Sequence, residues 1–137
     1  MKGKLERVQD WWMKAQSDLQ IATHEMQFDK PAADAVCFHF QQAVEKMLKA
    51  WLVWQEIDFP QTHNIEVLLV ACEKIDPSFA KLRSAEMLTP YSVDIRYADD
   101  FYFPTLNEIR DASDISRMVE SFVIEKFSLI GISPLRE

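Results

Sequence analysis

The chain has 137 residues, of which 48% are hydrophobic and 27% charged, and a formal net charge of −7. This length suits one domain with a single core, and the acidic balance argues against a dominant basic surface for nucleic acid. The only glycines, Gly3 and Gly131, exclude glycine-rich phosphate loops and disfavour a turn-rich antiparallel sheet. We therefore expect one all-α domain over residues 1–137 that uses no common cofactor.

The compartment is predicted from membrane signals and cysteine usage. No run of about eighteen apolar residues would cross a membrane, and the charged start of the chain lacks the apolar core of a secretory signal. The two cysteines, Cys37 and Cys72, lie inside apolar helical patterns and match no metal-ligand spacing. We expect a cytoplasmic protein that does not contact a membrane and whose cysteines are buried free thiols.

Three long amphipathic helices are predicted from apolar residues spaced by three and four. The first covers about residues 4–27, and the second covers about residues 31–57. The last begins where Thr105 and Glu108 fit the capping box and ends near residue 130. Such helices bury one face against a common core.

Two shorter helices are predicted between the second and the last long helix. Thr62 is the expected N-cap of the first. Asp76 followed by Pro77 marks the start of the other, because aspartate caps well and proline tolerates the first helical position. Thr89-Pro90 should end it, since proline disfavours the helical region for the residue before it. Together the three long and two short helices predict an up-and-down bundle.

The second helix is apolar over more than one stripe. Phe38 and Leu52 lie near its polar line, where a helix covered on one side alone does not need them. Either this helix is the centre of the bundle, or part of its outer face contacts a partner. With Trp51 and Trp54, these residues are candidates for the interface of a homodimer.

A semi-polar strip runs along the same helix. It contains Lys46 and Lys49 together with His39 and Gln42. Two interpretations stay open, a solvated face or cations that bind an anionic ligand. His63, at a predicted helix start, is interpreted as a hydrogen-bonding cap group, with a catalytic role as the alternative.

The segment TPYSVDIRYADDFYFP, residues 89–104, is not helical and is rich in aromatic and charged residues. In a functional interpretation, Arg96 binds phosphate and the rings of Tyr91, Tyr97 and Tyr102 stack on bases. These four residues are the candidate ligand-binding group of the loop.

The alternative interpretation of the loop is structural. Its aromatic side chains would fill the end of the bundle, and Arg96 would pair with a nearby aspartate. The residues concerned are Tyr97, Phe101, Phe103, Asp94, Asp99 and Asp100. The aspartates would repel a phosphate unless a cation intervened, and Asp99 with Asp100 is the candidate magnesium pair.

Four stretches, in order and at fitting distances, resemble one known family. WWMKAQSDLQIA is similar to its tryptophan–alanine–aspartate–leucine opening, and FHFQQAVEKMLKAWLV to its second-helix signature of paired glutamines, an alanine and a glutamate–lysine step. PQTHNIEVLL resembles the proline–threonine–histidine start of the third helix, and DIRYAD the arginine–tyrosine pair before the last. Over about residues 8–127 the chain therefore resembles HEPN domains (higher eukaryotes and prokaryotes nucleotide-binding).

The resemblance implies a helical bundle related to the C-terminal domain of kanamycin nucleotidyltransferase, working as a homodimer. It also implies a separate minimal nucleotidyltransferase as partner, in a toxin–antitoxin pair, and a nucleotide or RNA as ligand. Active members are metal-independent ribonucleases that use an arginine and, a few residues later, a histidine. Here Arg96 matches the arginine, but Phe101 stands where the histidine is expected, and no histidine follows.

We therefore predict a HEPN-type binding module without ribonuclease activity. A ribonuclease toxin acting through Arg96 is the second hypothesis, and a purely structural dimer is the third. Some family members are modified on a tyrosine just beyond the motif histidine. The matching position is Phe103 here, with Tyr97 and Tyr102 nearby.

Overall fold

The computed structural model describes residues 2–93, 96–97 and 100–136, with the backbone alone at residues 96, 97 and 100. The α-helices in these ranges are α1 (Lys4–Glu25), α2 (Ala33–Trp54), α3 (Ile65–Ile75) and α4 (Leu106–Leu129). A 3₁₀ segment spans Pro77–Ser92, and the short strands β1 (Arg96–Tyr97) and β2 (Asp100–Phe101) follow it. The predicted all-α bundle of three long and two short helices is confirmed, because strands of two residues do not change the class.

α2 is the central helix of the bundle. It packs against α1, α3, α4 and the 3₁₀ segment, and more than half of its 22 residues are buried. Leu52 is fully buried and Trp51 lies in the core. Their predicted place in a dimer interface is therefore wrong, because a side chain covered within one protomer offers no surface to a second. Phe38, at 37% exposure, and the half-buried Trp54 retain exposed surface.

Aromatic rings at the centre of the core join α1, α2, α4 and the 3₁₀ segment. Between ring centroids, Trp51 lies 5.6 Å from Phe79 and 5.0 Å from Phe127. Trp12 lies 6.3 Å from Phe127 in an edge-to-face contact. Aromatic pairs of this kind stabilise a fold by about 0.5–1.5 kcal/mol beyond the burial of their area. The contacts explain why both tryptophans belong to the core.

Cys37 and Cys72 are buried and free, as predicted. Burial raises the pKa of both thiols to about 12, so that neither is a reactive thiolate near neutral pH.

Concerning membranes, no helix in the described ranges is long and apolar enough to span a bilayer.

Two predicted helix starts are confirmed by their caps. Asp76 Oδ1 accepts a hydrogen bond from Ser78 N at 3.0 Å, and the 3₁₀ segment begins at Pro77. At α4, Glu108 N donates to Thr105 Oγ1 at 3.1 Å, and Thr105 N donates back to Glu108 Oε1 at 3.2 Å. Both signals are local in sequence, and each satisfies N–H groups that have no partner inside the helix.

Two other predicted boundaries are wrong. Asn64, not Thr62, caps α3, because Asn64 Oδ1 accepts from the backbone N–H groups of Glu66 and Val67. Thr62 Oγ1 instead accepts from Asn64 N and supports the capping residue. Pro90 does not end the preceding helix, since the 3₁₀ segment continues two residues beyond it. The fixed φ of proline suits 3₁₀ geometry, and only one hydrogen bond is lost.

α2 ends at Trp54 rather than near residue 57, because the chain reverses at Glu56. Glu56 has a φ of +57°, and Ile57 N donates to Leu52 O at 3.0 Å. This hydrogen bond is the one that closes a Schellman-type C-cap. Glycine usually occupies the left-handed position, because in other residues the Cβ approaches the following carbonyl oxygen.

We predict that Glu56→Gly raises the free energy of unfolding by up to about 1 kcal/mol. The free energy gained by relieving the left-handed strain should exceed the cost of the extra conformational entropy that glycine gives the unfolded chain. Gln55→Gly is the matched control, since Gln55 has a φ of −75° and gains nothing from glycine. This variant should lose about 1 kcal/mol of stability. Urea denaturation measures both, and equal destabilisation of the two variants would contradict the prediction.

Candidate functional site

A buried carboxylate, Glu45, organises the polar groups in the middle of α2. Its side chain is 4% exposed and accepts hydrogen bonds from Lys49 Nζ at 2.9 Å and His63 Nδ1 at 2.8 Å. The side-chain nitrogens of Gln41 and Gln42 lie 3.3 Å and 3.5 Å from Glu45 Oε1. We call these five residues the Glu45 network.

The charges of this network are matched inside the protein. Burial raises the pKa of Glu45, but the hydrogen bonds from Lys49 and His63 outweigh it and leave the pKa below its usual value. Glu45 is therefore an anion near neutral pH, paired with the buried ammonium of Lys49. Because removing one partner would leave the other charge buried and unpaired, the two residues depend on each other.

His63 differs from the rest of the network because its side chain is 61% exposed. Its Nδ1 is held by Glu45, so the ring is oriented, and Nε2 lies on the other side of the imidazole. A carboxylate that orients an exposed imidazole forms a pair able to exchange a proton with a bound group.

A second carboxylate repeats the arrangement between α1 and α2. Asp18 accepts hydrogen bonds from Lys46 Nζ at 2.6 Å and from His39 Nδ1 at 2.8 Å. We call these three residues the Asp18 triad. As in the Glu45 network, one carboxylate of low exposure holds one lysine and one histidine.

The predicted semi-polar strip is therefore not a solvated face. Lys49 is buried, Lys46 is mostly covered, and each ammonium group is bonded to a carboxylate of its own protomer. These contacts argue against either lysine as a ligand-binding group. Sequence reasoning missed Glu45 and Asp18 as organising residues. The spacing of Glu45 and Lys49 by four could have indicated the first pair, whereas nothing local connects Asp18 to the second helix.

At the start of α4, Glu108 accepts hydrogen bonds from two phenols. Tyr91 OH donates to Oε2 at 2.8 Å, and Tyr102 OH donates to Oε1. The bond from Tyr102 helps to lower the pKa of Glu108, while burial and the bond to Glu108 raise that of Tyr91. We call Tyr91, Tyr102 and Glu108 the tyrosine–glutamate cluster. It fixes both sides of the loop to the first turn of α4.

The start of α3 connects the Glu45 network to the segment that carries Tyr91. The Glu45 network reaches the start of α3 through His63, and two residues later Ile65 N donates to Thr89 Oγ1 at 3.1 Å. Two residues beyond Thr89 is Tyr91, a member of the tyrosine–glutamate cluster. We call this region the loop end, because the segment 89–104 starts and finishes there.

Within the loop, β1 and β2 pair antiparallel, with Arg96 opposite Phe101 and Tyr97 opposite Asp100. Phe101 is 49% exposed and Phe103 is 66% exposed, so the interpretation in which these rings fill the bundle end is wrong. The hydrogen bond of Tyr102 to Glu108 explains this outcome. Tyr102 is itself exposed, so this bond holds the segment to α4 by its hydroxyl group without burying the rings.

Other predictions for the loop fall outside the described residues. They concern the side chains of Arg96, Tyr97 and Asp100 and the whole of Asp94 and Asp99. The phosphate-binding role of Arg96, its pairing with an aspartate and the magnesium pair therefore stay predictions. Among the residues that are described, no group of three or more histidine, cysteine, aspartate or glutamate side chains is placed to hold a metal ion.

The Glu45 network predicts a loss of stability in acid. Because the pKa of Glu45 is lower in the folded chain, its contribution to stability is complete above about pH 4.5 and is lost as the pH falls through the folded pKa. In Glu45→Gln this part of the pH dependence should disappear, and breaking the buried pair should lower stability by about 3–5 kcal/mol.

Denaturant titrations between about pH 3 and pH 7 measure both effects. Glu125→Gln, at an exposed position of α4, is the control and should keep the acid dependence of the wild type. The double variant Glu45→Gln/Lys49→Met should recover part of the lost stability, since it leaves no unpaired ammonium group. An unchanged acid dependence in Glu45→Gln would contradict the assignment.

The chain was compared with protein families, curated proteins and solved structures. The family model of the HEPN domain matches residues 8–127, a range that contains the Glu45 network, the Asp18 triad and the whole loop end. The searches of curated proteins and of solved structures returned no match. With the family model covering most of its length, this chain belongs to the HEPN domain family.

Proposed function

We propose that this protein is a HEPN-type binding module, working as a homodimer, that engages a nucleotide or RNA at the loop end. The observation that carries the proposal is the exposed aromatic segment 101–103, which the bond from Tyr102 to Glu108 holds to α4. Adjacent exposed rings often mark an interaction site, and nucleobases stack on such rings.

Arg96 is the group that we propose to bind the phosphate. The pairing of β1 with β2 sets its backbone opposite Phe101, within the same hairpin as the exposed rings. A guanidinium forms two parallel hydrogen bonds with phosphate oxygens. The hydroxyls of Tyr91 and Tyr102 are engaged by Glu108, so these residues would offer a nucleotide their ring faces.

We further propose that the protein partner is a separate minimal nucleotidyltransferase, in a toxin–antitoxin-like pair. Membership of the HEPN family supports this part of the proposal, as does the resemblance of the motifs around the second helix. For the homodimer, Phe38 remains an interface candidate, since it is exposed on the first half of α2.

We predict that ATP or a short RNA binds weakly and that added salt weakens the binding. Amide chemical shifts of the loop end should change on titration, and Arg96→Ala should abolish the change because the phosphate loses its partner. Arg110→Ala, at an exposed position of α4, is the matched control. Shifts that are absent at millimolar nucleotide would favour a purely structural dimer, whereas equal shifts in Arg96→Ala would exclude Arg96 as the phosphate-binding group.

A ribonuclease is the second candidate function, and the pairing of His63 with Glu45 favours it. Phe101 occupies the position of the motif histidine. His63 nevertheless brings an exposed imidazole, oriented by a buried carboxylate, to the loop end. Such a group could remove a proton from a ribose hydroxyl while Arg96 binds the scissile phosphate.

We predict little or no RNA cleavage by the purified protein. General acid–base catalysis contributes typically 10²–10⁴-fold in rate, and the residue that supplies it in the family motif is replaced by Phe101. An assay of RNA cleavage without metal ions, with Arg96→Ala and His63→Ala beside the wild type, tests this expectation.

The second candidate predicts a different result in the same assay. Cleavage lost in both Arg96→Ala and His63→Ala would establish the ribonuclease. His39→Ala is the matched control, because His39 is the equivalent histidine of the Asp18 triad. Cleavage that survives both substitutions would indicate a contaminating nuclease or a catalytic site elsewhere in the chain.

A further inference from the structure

A groove at the C-terminal end of α2 is separate from the loop end. Its volume is about 430 Å³, within the range of about 300–1,000 Å³ that is typical of small-ligand sites. Val53 and Glu56 line it, which places it where α2 ends, whereas its lining contains none of Tyr91, Tyr102 and Glu108. We call it the α2 groove; the lining residues that matter here are Lys4, Arg7, Trp11, Glu56, Asp58 and Phe59.

One wall of the α2 groove is aromatic. The ring centroids of Trp11 and Phe59 are 6.4 Å apart, in an edge-to-face contact. Lys49 Nζ lies 5.5 Å from the first centroid and 5.8 Å from the second. Because Lys49 is buried and both rings are half-buried, the cation contacts the rings from the protein side. Both residues also line the groove.

The rim of the α2 groove carries two positive and two negative side chains. Lys4 Nζ lies 3.9 Å from Glu56 Oε2, so these two charges are paired. Arg7, on α1, and Asp58, after α2, are exposed and form no ion pair or side-chain hydrogen bond with any side chain in the described part of the chain. Within the part of the chain that the structure describes, Arg7 and Asp58 therefore offer unpaired charges beside the aromatic wall.

Glu56 contributes to this arrangement through its backbone. Its φ of +57° belongs to the C-cap that ends α2. The reversal places its carboxylate near Lys4, whose ammonium group also lies 4.2 Å from the ring centroid of Trp54. With Lys4 engaged twice, Arg7 is the cation that a ligand would meet.

We propose that the α2 groove binds a zwitterionic small molecule with an apolar side chain, of the α-amino acid class. Arg7 binds the carboxylate of the ligand, and Asp58 binds its ammonium group. The wall of Trp11 and Phe59 receives the side chain. This site lies outside the loop end, and the proposal does not rest on the nucleotide function proposed above.

The test is a titration of the isotope-labelled full chain, followed by amide chemical shifts. L-phenylalanine and L-leucine should shift amides of residues 4–11 and 53–59 and leave the loop end unchanged. L-phenylalaninamide lacks the carboxylate, and 3-phenylpropionate lacks the ammonium group. Each should bind roughly tenfold or more weakly than phenylalanine, because one charge-assisted hydrogen bond is lost.

Two variants assign the charges. Arg7→Gln and Asp58→Asn should each weaken the binding of phenylalanine roughly tenfold or more. Both residues are exposed, so the fold should persist, and the spectrum of each variant verifies that. Arg110→Gln and Asp111→Asn, exposed on α4, are the matched controls and should leave binding unchanged.

Three results would overturn the proposal. The first is the absence of shifts in the groove when either amino acid is added at about 10 mM, a concentration at which even millimolar affinity is visible. The second is binding of the amide or of phenylpropionate as tight as that of phenylalanine. The third is wild-type affinity in both groove variants.

Discussion

The carboxylate of Glu45 is the contact on which the middle of the bundle depends. It sits on the central helix and accepts from Lys49 one turn later and from His63 before α3. Lys49 in turn lies beside the rings of Trp11 on α1 and Phe59 after α2. One buried charge therefore links α1, α2 and the segment that leads into α3. Its burial requires every partner to be in place, since an unmatched charge in the interior is strongly unfavourable.

Three carboxylates connect different segments of the chain. Asp18 joins α1 to α2, Glu45 joins α2 to the start of α3, and Glu108 joins the 3₁₀ segment and the loop to α4. Apolar contacts tolerate sliding of one helix against another, whereas a hydrogen bond at 2.6–2.8 Å is satisfied in one register. We infer that these carboxylates fix the alignment of the helices and that the aromatic core supplies most of the stabilisation.

How much could be predicted from the sequence depended on how far apart along the chain the interacting residues are. Apolar periodicity located the helices, and Thr105 with Glu108 located a helix start, because both signals lie within a few residues. Lys46 was misinterpreted because its partner, Asp18, is 28 residues away. Leu52 was misplaced for a related reason. A central helix is covered on several sides, and the pattern of one helix does not say how many neighbours it has. The sequence shows that the loop is aromatic. It does not show that Tyr91 and Tyr102 both donate a hydrogen bond to Glu108.

The attachment of Tyr91 and Tyr102 to one glutamate has a consequence for how this protein can diversify. With both ends of the loop fixed by the same side chain, the ten residues between them form a closed segment whose closure entropy changes only slowly with length. Insertions and substitutions there need not disturb the helices, since the attachment points stay in place. Sequence drift in the loop can then change the surface that the loop presents while the contacts of the bundle beneath it are kept.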